Sequence, residues 1–192
     1  MDEHIYKILV RVAVVLTVAW VFWTIYDGYL AETEPGAFEF SAAMKYLEDG
    51  HHEDALKEYQ GLLAGEPNNA AALRGKAQAL MLMERYDEAL PTYDEAIDRA
   101  PDFGATFANR GILKDRMGDY PGALADYEKA IRLDPEVSEG PGFLTRFMRN
   151  QSEKPPTIID RARYLQDQLN KPESERLLLM PEEDARQRPY KM

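Results

Sequence analysis

Apolar positions along this 192-residue chain follow two patterns. From Ile5 to Tyr26 they run almost unbroken, with charge only at Lys7 and Arg11. Beyond Ala37 they thin out and recur at helical spacing, and the recurrence itself cycles along the chain. The first pattern predicts one helix that is apolar all round. The second predicts a series of amphipathic helices, so the expected fold class is all-α.

The 22 residues from Ile5 to Tyr26 would form a helix of about 33 Å, enough to cross a hydrocarbon core of about 30 Å. Arg11 lies within reach of the headgroups, where a long side chain can snorkel. Trp20 and Trp23 share a face, and Tyr26 and Tyr29 follow at the far end, as in an interfacial aromatic belt. A core helix would carry a polar stripe, and none is present. A cleaved signal peptide needs small residues before the cut, but "DGYLAETE" places Tyr29 two positions before Ala31. An uncleaved anchor over residues 1–30 is therefore expected. Lys7 and Arg11 lie at the N-terminal side of the span and the next basic residue is Lys45, so the positive-inside rule keeps the N-terminus cytoplasmic and exports residues 30–192.

After a linker at 31–36 the sequence repeats. Pro67, Pro101 and Pro135 are spaced evenly, as are Ala55, Ala89 and Ala123, and Tyr59, Tyr93 and Tyr127. His52, Tyr86 and Tyr120 keep the same step, as do the small residues Ala43, Ala77 and Gly111. Such a period with helical patterning predicts stacked helical hairpins. In each, the small residues let two backbones approach, the tyrosine fills the gap to the next hairpin, and the proline ends the second helix. The expected pairs are 37–49 with 53–64, 70–83 with 87–99, and 104–117 with 120–133. Pro91 and Pro121 are expected near the first turn of a second helix, where a missing N–H costs little.

"RGKAQALMLMERYDEALPTYDEAIDRAP" and "NRGILKDRMGDYPGALADYEKAIRLDP" closely resemble the tetratricopeptide repeat family. The first repeat departs from it, with Glu39 in place of an aromatic residue and His52 in place of the turn tyrosine, and Lys76 and Arg110 stand where the family often has leucine. The resemblance implies three repeats over 37–135 stacked as a solenoid. A short helix in "PGFLTRFMRN" and a capping helix in "PPTIIDRARYLQDQLN" would complete 136–170, with Thr157 and Asp160 as a capping box. Residues 171–192 are expected to form an extended tail.

Composition removes several function classes. The chain holds 34 acidic and 23 basic residues, and the excess is concentrated in Ala31–Pro135, with 21 acidic against 11 basic. That region would repel a phosphate backbone, so no nucleic-acid partner is expected. Without cysteine there are no disulfides, thiolate metal sites or thiol nucleophiles. His51 and His52 are adjacent in the first repeat's turn and do not share a helix face. No nucleophile constellation or phosphate-cradling glycine loop stands out, so neither an enzyme nor a cofactor is expected.

Binding is the remaining class. The resemblance implies a concave groove lined by first helices, and position by position this gives Ala37, Phe40, Met44 and Leu47; Ala71, Arg74, Gln78 and Met81; and Ala105, Ala108, Asn109, Ile112 and Asp115. Such a groove would suit a helical or extended peptide with apolar anchors and one acidic group. The alternative is that the chain's own linker or tail covers these side chains. Arg74, Gln78 and Asn109 resemble part of the family's carboxylate clamp, but Glu139 and Phe143 occupy the positions of its later basic pair. In the tail, Leu177, Leu178, Leu179 and Met180 form an apolar contact candidate. The expected function is a membrane-anchored protein–protein interaction scaffold: an accessory subunit or assembly factor of a bacterial inner-membrane complex, with lipid contacts at Arg11, Trp20, Trp23 and Tyr26 and the repeats in the periplasm. The alternative is a cytoplasm-facing docking receptor for chaperone- or client-borne peptides.

Overall fold

A computed structural model describes residues 3–26, 36–135 and 157–179. Among them are eight α-helices and no strand. Helix α1, Glu3–Ile25, forms a unit of its own and buries none of its residues. At 23 residues it extends about 34 Å. The Thr17 hydroxyl donates to the Ala13 carbonyl and that of Thr24 to the Trp20 carbonyl, so both polar side chains are satisfied within the helix. Arg11, Trp20, Trp23 and Tyr26 are all exposed.

The second unit carries three hairpins: α2 (Ala37–Asp49) with α3 (His52–Gly65), α4 (Ala70–Leu82) with α5 (Tyr86–Arg99), and α6 (Gly104–Arg116) with α7 (Tyr120–Leu133). Their ends fall within one residue of the sequence expectation. Helix α8, Ile158–Leu169, packs beyond α7. The short helix expected in "PGFLTRFMRN" lies outside the described residues, as do Met180 and most of the linker.

The same turn closes each hairpin. His51 N donates to Tyr46 O, Arg85 N to Leu80 O, and Asp119 N to Lys114 O, each at 2.9 Å. These are the long bonds of a Schellman ending, which puts one residue in the left-handed region. That residue is Gly50 (φ 82°), Glu84 (φ 60°) and Gly118 (φ 82°) in turn. Helix starts are less uniform. Asn69 accepts from Ala72 N, Asp119 accepts from Gly122 N, and Thr157 with Asp160 forms the expected capping box. Pro91 differs from expectation: α5 begins at Tyr86, so Pro91 lies in the second turn, and it is tolerated in the helix interior.

The core is a ladder of small residues and tyrosines. Ala43, Ala55, Ala77, Ala89, Ala123, Tyr59, Tyr93 and Tyr127 are all fully buried. Glycine is required where a tyrosine ring reaches the preceding or following backbone. A Cβ on Gly75 would lie 2.1 Å from Tyr59 Cζ, and one on Gly111 would lie 2.7 Å from Tyr127 Cδ1. Ion pairs pin the outer faces. Arg110 donates to Asp94 at 2.6 Å and to Asp126 at 2.6 and 2.8 Å, tying α5 and α7 to α6, and Lys114 adds a 2.8 Å contact to Asp126. Burial pulls the Arg110 pKa down, but its bonds to Asp126 and Asp94 outweigh that and leave it above the ordinary value.

Candidate partner-binding groove

The first helices α2, α4 and α6 carry the residues expected to line the groove, and the structure divides them by repeat. In the first repeat Phe40, Met44 and Leu47 are half-buried. Phe40 meets the Tyr59 ring edge-on, with centroids 5.8 Å apart, so the core fixes its orientation. In the second repeat Ala71, Arg74 and Gln78 are half-buried, whereas Met81 is fully buried and belongs to the core. In the third repeat Ala105, Ala108, Asn109, Ile112 and Asp115 are all buried. Among the described residues, the positions that keep part of their surface exposed thus lie in repeats one and two. The third repeat's positions serve the chain's own packing.

Asp115 accounts for part of this closure. It accepts two 2.7 Å bonds from Arg161 on α8 and a 3.1 Å bond from the Tyr127 hydroxyl. The corresponding residues one and two repeats earlier are Met81 and Leu47, and at those levels the Tyr93 and Tyr59 hydroxyls find no acceptor among the described residues. One register position thus holds an apolar side chain twice and then a buried carboxylate that fastens the end of the array.

Sequence reasoning missed Phe103. It occupies the N-cap of α6, one repeat step after Asn69, but it makes no side-chain cap bond. Instead the Arg74 guanidinium lies over its ring at 4.0 Å from the centroid. Burial lowers the Arg74 pKa, and its Nε finds no acceptor among the described residues. A cap residue exchanged for an aromatic ring was the available signal, because a local rule broken at one repeat marks a competing demand. Phe38, with 78% of its surface exposed, extends the apolar end of α2 and was likewise not singled out. Along this surface the arrangement offers apolar side chains, then one cation on an aromatic ring. It can hold a peptide by packing and by one charge-assisted contact.

His51 packs edge-on against Tyr46, with centroids 6.4 Å apart. In the tail, Leu177 and Leu179 remain 68% and 69% exposed, while Leu178 packs against the core.

Residues 40–102 and 105–137 match the tetratricopeptide repeat family. The chain is 36% identical over 88 residues to Hsp70-Hsp90 organizing protein 1 of Glycine max, covering 46% of this chain and 15% of that protein. It is 28% identical over 108 residues to RNA polymerase II-associated protein 3 of Xenopus tropicalis, covering 56% and 16%. It therefore spans about a sixth of the length of these relatives. Solved structures that share its fold include the following two. The first repeat domain of Spaghetti bound to the HSP90 peptide SRMEEVD has a TM-score of 0.57 at 16% identity, covering 73% of this chain and 97% of that one. The Yersinia enterocolitica type III secretion translocator chaperone SycD has a TM-score of 0.58 at 16% identity, covering 73% and 98%. The array over residues 40–137 belongs to the tetratricopeptide repeat family, whose stacked hairpins form protein–protein interaction scaffolds.

Proposed function

We propose that this chain is a non-catalytic adaptor held in a bilayer by α1, acting as an accessory subunit or assembly factor of a bacterial inner-membrane complex. The observation that carries the reading is α1 itself: 23 residues, none buried, with both threonine hydroxyls bonded within the helix. Such a helix has the length and internal satisfaction that lipid demands, and none of its bulky apolar side chains is buried among the described residues. Lys7 and Arg11 at the N-terminal side of the span, with no basic residue between them and Lys45, support a cytoplasmic N-terminus and periplasmic repeats. Anchoring raises the effective concentration of the groove near membrane partners. Phe40, Met44 and Leu47 supply apolar seats and Arg74 the charged one, with Gln78 one turn further along α4.

A second reading keeps the repeats in the cytoplasm as a docking receptor for chaperone-borne peptides. It is favoured by the Arg74 guanidinium, whose Nε lacks an acceptor among the described residues. Against it, Asn109 is buried, and Glu139 and Phe143 replace the basic pair of the carboxylate clamp. A C-terminal alkaline phosphatase fusion and a matching fluorescent-protein fusion separate the two. Phosphatase activity is expected; fluorescence without phosphatase activity would reverse the orientation. Photocrosslinking from Gln78 in intact membranes should yield one dominant protein adduct. An adduct pattern unchanged by Met44→Asp would exclude the groove as the contact.

A further inference from the structure

We infer that α8 carries a second peptide-binding slot, separate from the groove of repeats one and two, and that the chain's own tail occupies it in cis. The slot takes an extended peptide segment with one aliphatic anchor.

Three side chains at i, i+3 and i+7 on α8 direct their polar ends at the main chain of the tail. Gln168 accepts from Leu177 N at 3.0 Å, the Tyr164 hydroxyl donates to Leu177 O, and Arg161 Nη2 donates to Leu178 O at 3.0 Å. They share one face of the helix, and the tail runs back antiparallel along it. Of the three leucines only Leu178 packs against the core. Leu177 and Leu179 keep about two-thirds of their surface exposed and gain little from docking. The slot therefore reads a backbone and one apolar side chain. In this mode of recognition main-chain bonds supply affinity and a single pocket supplies selectivity.

The tail is the occupant, and that chemistry alone holds it. A one-residue slip of an extended segment exchanges the inward side chain for its neighbour, and here the neighbours are also leucines. Arg161 is shared between the two tasks: it holds Leu178 O while bonded to Asp115, so the slot is built on the same guanidinium that fastens α8 to α6. A segment of the tail's chemistry supplied by a partner competes with the tail, which holds its place through high effective concentration. The inference does not depend on the orientation of α1 or on the groove's ligand.

The test uses the full chain in detergent and a fluorescent peptide with the sequence of residues 172–183. Leu178→Asp in the chain is chosen to release the tail, since it sets a carboxylate where a half-buried leucine packs against the apolar core. The peptide is expected to bind this variant at least ten-fold more tightly than the unaltered chain, and adding Tyr164→Phe should weaken it several-fold. Leu177→Pro removes the N–H given to Gln168 together with an exposed side chain, leaves Leu178 in place, and should raise peptide affinity to a smaller degree. Circular dichroism confirms that each variant retains the helical array. Equal binding to released and unaltered chains, or no binding to a folded released chain, would overturn the inference; if Leu178→Asp unfolds the array, the Leu177→Pro chain decides in the same way.

Discussion

Arg161 on α8 grips Asp115 on α6 through two 2.7 Å bonds, with each side chain only 5% exposed. The pair joins segments 46 residues apart and fixes the end helix to the third repeat. Removing one partner strands the other charge in a dry site, so Asp115→Ala should cost about 3–5 kcal/mol of unfolding free energy. The double variant Asp115→Met with Arg161→Leu should recover most or all of that loss, because Met81 already fills the equivalent position one repeat earlier. Urea titrations of the single and double variants measure both. A double variant as unstable as the single would mean that the ion pair has no apolar substitute at this level.

Gly75 lies under the Tyr59 ring, closer than any Cβ could approach. Gly75→Ala must therefore displace a fully buried tyrosine, at a cost of about 1–3 kcal/mol or more. Gly61, in α3, has nothing within 4 Å of the same added atom. There alanine should stabilise by about 0.5–1 kcal/mol through helix propensity. The opposite signs, read from thermal or urea unfolding, test whether close packing rather than helix propensity selects these glycines.

The repeat array was legible because every element of it recurs. Tyr59, Tyr93 and Tyr127 fall on one helical face at one step, and the turns follow from that step. The helix ends could be placed to a residue because the prolines and turn positions recur at one step, and Thr157 carries the cap of α8 in its own side chain. The groove was legible only as positions. Whether a groove position is open depends on what packs over it, and Asp115 is closed by Arg161, which lies outside the repeat. No periodicity could indicate that partner. The use of Phe103 was hidden for a related reason: its ring is recruited by Arg74, one helix hairpin earlier.

Glu84 holds the left-handed turn position that Gly50 and Gly118 fill in the other repeats. A residue with a Cβ is disfavoured there by about 1–2 kcal/mol, and glycine removes that strain. Glu84→Gly should stabilise the array by about 1 kcal/mol, a rise in Tm of roughly 4–8 °C for an array of this size. Gly118→Ala should shift it in the opposite direction. Differential scanning calorimetry on both variants checks the pair, and an unchanged midpoint for Glu84→Gly would show that its side chain makes a compensating contact.

Phe103→Asn would give α6 a side-chain cap like that of Asn69 on α4 while removing the ring beneath Arg74. The cap contributes about 1 kcal/mol and the lost stack about 0.5–1 kcal/mol, so overall stability should barely move. Arg74 would lose its platform, and the yield of partner crosslinked from Gln78 should fall several-fold. Unchanged yield with unchanged stability would remove the Arg74–Phe103 pair from the binding surface.

The buried tyrosines set an alkaline limit on the fold. Burial pushes the Tyr59 pKa from 10.0 up to about 12 and raises that of Tyr93 in the same direction. Both phenols are protonated in the folded and unfolded states below pH 10, and their contribution is then complete. Above pH 10 the unfolded chain ionises first, so stability falls as pH rises from 10 through about 12. Neither hydroxyl has an acceptor among the described residues, so Tyr93→Phe should change stability at pH 7 by no more than about 1 kcal/mol. It should also flatten the alkaline decline, because one ionisation linked to unfolding is gone. Unfolding midpoints measured from pH 7 to 12, followed by far-UV circular dichroism alongside phenolate absorbance, test both statements. A decline that is just as steep in Tyr93→Phe and Tyr59→Phe would assign the alkaline limit to other groups.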